Sequence, residues 1–220
     1  MKIHFHASDN PRPQSSYREL TEKYGQNDLD EAEVIVVLGG DGAMLRALHT
    51  FTDSNLPIFG LNLGTLGFLL NEYKNTDLKE RISLAKGYEI HPLRMDVTDV
   101  NGEKYSALAY NEVSLLRETH GSAKIMVFVN DAVRLPLLVC DGIMLSTPVG
   151  STAYNSSADG PIVPMSYHSP RSVRSDRAAG PVLCCRIRRR FASKSSVRKS
   201  VPSVPLPMRW KFVTWPSWIL

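Results

Sequence analysis

The spacing of apolar residues divides the chain into regions of different regularity. Over residues 1–87, short apolar runs alternate with segments in which apolar residues recur at helical spacing. The run 34–38 is entirely apolar and mostly β-branched, as expected for a parallel strand covered on both faces. We therefore predict an α/β layer with parallel strand pairing in this region. The predicted strands are 2–6, 34–38 and 57–61, and the predicted helices are 13–24, 43–50 and 76–86.

The apolar pattern changes near residue 88, where short strand-like segments follow one another without intervening helices. Asn101-Gly102 lies between two of these segments, and Asn-Gly is a strong signal for a tight β-hairpin. Asn130-Asp131 predicts a second turn. We therefore predict a second, mostly antiparallel β-domain over 88–164, in which residues 147–154 form a loop that enters a helix. Its predicted strands are 89–97, 104–109, 112–116, 124–129, 133–138 and 143–146.

Beyond residue 164 the periodicity disappears and the charge reverses. Residues 165–220 hold twelve Lys or Arg and a single acid, Asp176, whereas residues 1–164 hold 14 bases and 21 acids. The net charge of +4 therefore comes from the tail and predicts no nucleic-acid partner for the rest of the chain. We predict that the tail is disordered or frame-shifted, which leaves the β-domain incomplete. A genuine basic extension that binds anionic partners is the alternative.

Targeting and metal-binding signals are missing from the sequence. No apolar run reaches the roughly 18 residues of a membrane span, and the first residues lack the apolar stretch of a signal peptide. The three cysteines and the histidines show no metal-ligand spacing and no disulfide framework. We expect a cytoplasmic protein with no membrane partner and no metal site of its own.

Gly39-Gly40-Asp41-Gly42 joins the buried strand 34–38 to the next predicted helix. Such a turn lies at the carboxyl edge of the sheet, where open α/β sheets bind ligands, and its glycines let a phosphate approach the backbone. A carboxylate suits a hydroxyl better than a phosphate, so Asp41 is a candidate base or orienting group for phosphoryl transfer to a hydroxyl. The alternative is a tight turn in which Asp41 only caps the helix.

Further polar groups interrupt the apolar pattern downstream. A second glycine-rich segment, 62–69, follows the next strand; Asn111-Glu112 interrupts an apolar strand; and Asp141-Gly142 precedes another. Residues 150–155 read Gly-Ser-Thr-Ala-Tyr-Asn at a predicted helix start. Each motif alone is compatible with a turn or a cap, but together they predict a polar site of nucleotide size built from both domains.

This ordered series of motifs resembles the NAD kinases, the bacterial branch in particular, over about residues 1–164. The resemblance implies an N-terminal α/β domain and a C-terminal β-sandwich domain. It also implies transfer of a phosphoryl group from ATP or polyphosphate to NAD, giving NADP, with a divalent ion, Mg²⁺ above all. NAD and ATP are the implied small-molecule partners, and the family implies a homo-oligomer.

The resemblance also assigns individual positions. Asp41 matches the proton acceptor for the 2′-hydroxyl of the adenosine ribose, and Gly42 lines the same pocket. Arg46 matches a basic position near phosphate. The remaining implied nucleotide contacts are Asn111, Glu112, Asp141, Thr152, Ala153, Tyr154, Asn155, Ser156 and Ser157. Ser156 and Asp159 depart from the family pattern, which has a leucine and a glycine there.

Two other functions compete with this interpretation. Lipid and sphingoid kinases share Gly-Gly-Asp-Gly, but the 150–155 segment favours a NAD kinase. A non-catalytic NAD-binding remnant would keep the motifs without a closed second domain. NADP formation by the purified protein distinguishes the enzyme from both.

Overall fold

The computed structural model describes residues 1–65, 67–118, 120–129 and 131–165, together with the backbone of two later strands. Leu66, Asn130 and most of the predicted tail lie outside the described residues. The chain divides into two compact units, Met1–Glu89 and Ile90–Leu220.

The first unit is a four-stranded parallel sheet with helices on both faces. The strands pair in chain order, β1-β2-β3-β4, and every pairing is parallel. A short 3-10 helix, Leu29–Glu31, precedes β2. The elements are β1 Ile3–Ala7, α1 Pro11–Tyr24, β2 Val34–Gly39, α2 Asp41–Thr50, β3 Ile58–Asn62, β4 Asn71–Glu72 and α3 Leu78–Leu84.

Strand β2 forms the centre of this unit, as its uninterrupted apolar sequence predicts. Val34, Val36 and Leu38 point to one face, where they pack with residues of α1 and α3. Ile35 and Val37 point to the other face and pack against Ala43 and Ala47 of α2. The parallel α/β prediction for this region is therefore confirmed.

Two helices begin earlier than their sequence pattern predicts. Helix α1 begins at Pro11 rather than at residue 13, because proline is tolerated in the first turn of a helix, where its missing N–H has no partner. Helix α2 begins at Asp41, with Gly40 as its N-cap, so that half of the Gly-Gly-Asp-Gly motif is helical. The two-residue strand β4 was not predicted, because so short a segment carries no periodic signal.

The second unit contains only antiparallel strand pairs in its described part. Asp99 closes the predicted Asn-Gly hairpin by accepting hydrogen bonds from the N–H groups of Asn101 and Glu103, and Gly102 has a φ of 85°. A 3-10 helix, Val149–Thr152, follows the last strand before residue 165. The remaining elements are β5 Leu93–Thr98, β6 Lys104–Ala109, β7 Glu112–Leu116, β8 Ala123–Val129, β9 Ala132–Cys140, β10 Gly142–Ser146 and α4 Tyr154–Ser157.

The strands of this unit form three sheets, and an apolar cluster joins two of them. Leu93 and Met95 of the β5–β6 sheet pack with Val113 and Leu145 of the β7–β10 sheet. The mostly antiparallel β-domain predicted for this region is thereby confirmed. Within the described residues, no helix combines the length and the apolar character that a membrane span needs.

Two strands lie in the region where the sequence predicts no regular structure. Strand β11, Val182–Cys184, pairs with β10, and strand β12, Arg209–Thr214, pairs with β5, both antiparallel. The outer backbone groups of β5 and β10 can pair with an extended segment of almost any sequence, so these two pairings leave the predicted disorder of the tail untested. The functional division of the chain stays a prediction, with parts 1–87, 88–164 and 165–220. The frame-shifted origin of the tail also stays a prediction.

Candidate active site

Asp41 is held in place by the loop that follows β3. Its Oδ2 accepts a hydrogen bond from the N–H of Phe68 at 2.9 Å, and its Oδ1 accepts one from the N–H of Leu69 at 3.0 Å. Among the described residues, the hydrogen bonds of this carboxylate come from the loop and not from N–H groups of α2. A carboxylate has about four lone-pair sites, so the two N–H groups leave capacity for a further donor.

The loop itself is ordered by Asn62, the last residue of β3. The Asn62 Oδ1 accepts a hydrogen bond from the N–H of Gly64 at 2.9 Å, and the N–H of Leu63 donates to the carbonyl of Gly39 at 2.8 Å. A Cβ at Gly67 would come within 3.2 Å of the Asn62 side chain. The second glycine-rich motif thus packs tightly beside the first, as the sequence predicts for neighbouring strand ends.

Arg46 lies one turn into α2, and its guanidinium extends back toward the start of the helix. The Nη1 atom lies 3.9 Å from the position that a Cβ at Gly42 would occupy. Arg46 is also close enough to His6 of β1 to affect its pKa. Burial is the largest cause that lowers the pKa of His6, followed by the charges of His4 and Arg46, while the charge of Asp9 opposes the shift. Arg46 thus brings positive charge to the same turn that carries Asp41.

In the second unit, the backbone of Asn111 is locked to the segment after β10. Its carbonyl accepts a hydrogen bond from the N–H of Thr147 at 2.9 Å, and the Thr147 hydroxyl accepts one from the N–H of Gly150 at 2.9 Å. A Cβ at Gly150 would overlap the backbone of Asn111. Glycine is therefore required at residue 150 for close approach of the two motifs rather than for an unusual φ.

Glu112 is a half-buried carboxylate at the start of β7. Its Oε2 is buried and has no hydrogen-bond partner among the described residues. Burial raises the pKa of Glu112, because it penalises the charged form. An unpaired buried oxygen is costly unless a ligand supplies a donor, which makes Glu112 a strong candidate for a ligand contact.

Asp141 does not lie beside Asn111 and Glu112. Glu112 faces Ser146 across the β7–β10 ladder, whereas Gly142 faces Leu116 at its other end. The two ends are separated by four residue steps, or roughly 13 Å at the usual rise of a strand. A ligand that contacts both ends must therefore be elongated.

Arg117 fixes the orientation of Asp141. The Arg117 Nε lies 2.5 Å from Oδ1 of Asp141, and the N–H of Arg117 donates to the Asp141 carbonyl at 2.9 Å. Arg117 is a site residue that the sequence does not predict, because a lone arginine after a strand gives no recognisable signal.

The 150–155 segment separates into a buried support and an exposed face. Asn155 is fully buried, and its Nδ2 donates to the carbonyls of Ser151 and Pro161 at 3.1 and 2.9 Å. The Tyr154 ring is 43% exposed, and Ser156 and Ser157 are also exposed. Asn155 thus organises the turn, while its neighbours present their side chains outward.

Asp159 has a φ of 61°, in the left-handed region that favours glycine. This conformation gives a physical reason for the glycine that the family pattern carries there. Aspartate tolerates such a φ better than most residues, so the turn survives the substitution.

Two family models match the chain, and together they match more than half of it. The ATP-NAD kinase N-terminal domain matches residues 2–88, and the ATP-NAD kinase C-terminal domain matches residues 110–169.

Curated relatives show the same likeness. An NAD kinase of Hyphomonas neptunium is 48% identical over 165 residues, covering 75% of this chain and 65% of the relative. An NAD kinase of Rhizorhabdus wittichii is 51% identical over 161 residues, covering 72% of this chain and 63% of the relative. The matched part of the chain thus spans just under two thirds of the length of these relatives.

Solved structures agree on the fold. Yeast NADH kinase, complexed with NADH, superposes with a TM-score of 0.64 at 21% identity, covering 83% of this chain and 69% of that one. An NAD kinase from Archaeoglobus fulgidus, in complex with ATP, superposes with a TM-score of 0.55 at 26% identity, covering 74% and 67%. These likenesses agree with the sequence motifs, with the parallel sheet of the first unit and with the antiparallel strands of the second. The chain belongs to the NAD kinase family.

Proposed function

We propose that this protein is an NAD kinase. It transfers a phosphoryl group from ATP, or from polyphosphate, to the 2′-hydroxyl of the adenosine ribose of NAD and produces NADP. Its motifs and its likeness to curated NAD kinases support the assignment.

The hydrogen bonding of Asp41 is the observation that carries this proposal. Two backbone N–H groups orient the carboxylate at the carboxyl edge of a parallel sheet, where it keeps the capacity to accept a hydroxyl proton. A base of this kind contributes roughly 10²–10⁴-fold to a rate. Asp41 orients the ribose hydroxyl for in-line attack on the terminal phosphorus of the donor and accepts the hydroxyl proton. The new P–O bond forms as the bond from that phosphorus to the bridging oxygen breaks, and ADP, or the shortened polyphosphate, leaves with that oxygen.

The other site residues bind and orient the two nucleotides. Arg46 brings positive charge to the phosphates near Gly42, and Glu112 accepts a hydrogen bond from NAD through its unpaired Oε2. Asp141, oriented by Arg117, contacts a distant part of the dinucleotide. The remaining proposed NAD contacts are Asn111, Thr152, Ala153, Tyr154, Ser156 and Ser157. Asn155 is fully buried, so its proposed contact is made through its unpaired Oδ1.

The divalent ion, Mg²⁺ in our proposal, arrives with ATP rather than in a protein cage. No group of three or more His, Cys, Asp or Glu side chains suited to a metal ion occurs in residues 1–65, 67–118, 120–129 and 131–165. Mg²⁺ commonly keeps several waters and takes substrate phosphates as ligands, so the phosphates of ATP would hold it. A bound Mg²⁺ would supply positive charge to the transferred phosphoryl group.

Homo-oligomer formation and a cytoplasmic location complete the proposal. The β8–β9 hairpin supports the first, because its side chains Met126, Phe128, Val133 and Leu137 are at least half exposed. A two-stranded hairpin is marginally stable by itself, and a second copy would cover these side chains. Light scattering should show an oligomer that Phe128→Ser dissociates.

Product formation tests the function directly. Purified protein with MgATP and NAD should form NADP, detected by an NADP-specific dehydrogenase, and should form no phosphorylated diacylglycerol or sphingosine. A site of buried hydrogen-bond partners rejects analogues that leave them unpaired, which is why we expect this selectivity. Phosphorylated lipid would overturn the assignment, and NAD binding without turnover would identify a remnant.

A further inference from the structure

The loop that orients Asp41 ends in a very short strand. The N–H groups of Phe68 and Leu69, which bind the Asp41 carboxylate, lie just before the two-residue strand β4. This strand is the last in its sheet and pairs with β3 at two positions. Because so short a ladder contributes few backbone hydrogen bonds, a contact on the outer side of β4 has a large influence on the loop.

Arg81 of α3 makes such a contact. Its Nη2 donates to the carbonyl of Glu72 at 2.6 Å, and its Nη1 donates to the carbonyl of Lys74 at 3.4 Å. The guanidinium carbon lies 5.9 Å from the centroid of the Phe59 ring, within the range of a cation–π contact. Phe59 is a buried residue of β3, so Arg81 connects the end of β4 to the core of the sheet.

We propose that Arg81 is a positioning residue for the reaction, an inference that rests on the proposed function. By holding the end of β4, Arg81 keeps the N–H groups of Phe68 and Leu69 at the place where they orient the Asp41 carboxylate. It acts through the backbone that leads from Phe68 to Glu72. A small displacement of this backbone would turn the carboxylate away from the acceptor hydroxyl.

The neighbouring contacts of β4 are weaker than the contact with Arg81. Lys74 pairs with the Glu72 carboxylate at 2.9 Å, but both side chains are more than half exposed, and such a pair contributes little. The Asn71 Nδ2 donates to the carbonyl of Gly60 at 3.2 Å, a hydrogen bond between neutral groups. The hydrogen bond from Arg81 to Glu72 has a charged donor, and such bonds are roughly twice as strong as neutral ones. Its loss should therefore loosen β4 more than the loss of either neighbour.

Helix α3 has an anchor of its own. Leu78 is fully buried in the apolar core of the first unit, and Ile82 packs against the same core. Replacement of Arg81 should therefore leave the helix in place, so that an effect on the rate comes through the loop. Lys79 is exposed on the same helix and carries the same charge, which makes Lys79→Gln the matched control.

Two measurements on the full 220-residue chain test the inference. Amide hydrogen exchange reports whether the N–H groups of Phe68 and Leu69 stay protected, and it requires no activity. Steady-state kinetics with NAD and MgATP report kcat and KM separately. The variants are Arg81→Gln, Arg81→Lys and Lys79→Gln, and Arg81→Gln is also combined with Asp41→Asn.

We expect Arg81→Gln to speed exchange at Phe68 and Leu69 by about tenfold, since a charged hydrogen bond is lost. It should lower kcat by about 10–100-fold, the cost of a misplaced catalytic group, while KM for NAD and for ATP changes little. In the Asp41→Asn chain the same change should lower kcat no further, because the group that Arg81 positions is already disabled. Arg81→Lys, which can reach one carbonyl, should lie between Arg81→Gln and the parent, and Lys79→Gln should match the parent.

The outcomes separate this inference from the proposed function. Unchanged exchange at the two N–H groups, or a further fall of kcat in the Asp41→Asn chain, would refute the positioning role. If the parent forms NADP and Arg81→Gln keeps full kcat, the positioning role is wrong and the kinase assignment stands. If the parent forms no NADP but Arg81→Gln alone speeds exchange, the kinase assignment fails and the positioning of Asp41 stands. If Arg81→Gln does not fold, Arg81→Lys decides by the same measurements.

Discussion

The Oδ2 atom of Asp41 lies 2.9 Å from the backbone nitrogen of Phe68. This hydrogen bond ties the first residue of α2 to the loop after β3. The position of the carboxylate therefore depends on two neighbouring strand ends rather than on its own helix. The Phe68 ring is 58% exposed, so the anchor is its backbone and not the packing of its side chain.

Asp41→Asn should abolish most of the catalysis while leaving NAD binding nearly intact. The amide is a poor proton acceptor, so we expect kcat for NADP formation to fall by roughly 10²–10⁴-fold. NAD affinity, measured by calorimetry, should change little, because the proposed NAD contacts belong largely to the second unit. Asp53→Asn, an exposed change just after α2, is the control. Full turnover by Asp41→Asn would remove Asp41 from the chemistry.

Glu112→Gln should affect binding and stability in opposite directions. Burial raises the pKa of Glu112, so the folded protein binds this proton more tightly than the unfolded chain does. Ionisation of Glu112 therefore lowers the free energy of unfolding as pH rises from the ordinary glutamate pKa through the raised value. Glutamine does not titrate, so the variant should gain stability relative to the parent at pH 7 and not at pH 4.

NAD affinity of the same variant should fall by about tenfold, the usual cost of losing a charged hydrogen bond. Denaturant titrations at the two pH values and calorimetry with NAD measure the two effects. Glu103→Gln, an exposed change in the hairpin after β5, is the matched control. An unchanged NAD affinity would assign the unpaired oxygen a purely structural role.

Gly150→Ala should destabilise the second unit by about 1–3 kcal/mol, the usual cost of an overpacked site. The added methyl group would overlap the backbone of Asn111, which cannot move without breaking its hydrogen bond to Thr147. NAD affinity should fall together with stability. Gly87→Ala adds a methyl group in open space and should leave both unchanged. A fully stable Gly150→Ala protein would contradict the close approach of the two motifs.

Limited trypsin digestion tests the tail. We expect rapid cleavage after Arg171, Arg174 or Arg177, as the sequence predicts for a disordered or frame-shifted segment, while the part before residue 165 persists. Mass spectrometry of the fragments gives the boundary. Translation of the coding DNA after codon 164 in the other two frames should then reveal the family's missing strands. Protection of the whole chain would show that β11 and β12 belong to a genuine extension.

Sequence periodicity predicted the elements whose burial is extreme. Strand β2 is apolar at every position up to Gly39 because both of its faces are covered. The start of α2 was harder to predict, since Asp41 and Gly42 are poor helix formers and only the hydrogen bonds to Phe68 and Leu69 show how the carboxylate is used.

The sequence predicts which motifs form the site, but it does not predict what each side chain in those motifs contacts. An amide at residue 155 is equally compatible with a ligand contact and with the two backbone carbonyls that it actually binds. The Arg117–Asp141 pair joins residues 24 positions apart, which no local pattern reveals. The Ser8 hydroxyl oxygen is buried without a hydrogen-bond partner among the described residues, and burial of one polar atom leaves no trace in the sequence.

The strand order of the two units has a consequence for synthesis on the ribosome. In the first unit each strand adds to the strand made just before it, so the sheet grows as the chain emerges. In the second unit β5 pairs with β12, whose first residue follows the last residue of β5 by more than a hundred positions. At a synthesis rate of about 5–20 residues per second, the edge of β5 that pairs with β12 stays unpaired for roughly 6–20 s. The nascent chain therefore carries an open strand edge for seconds, and a holding chaperone would act on this segment during translation.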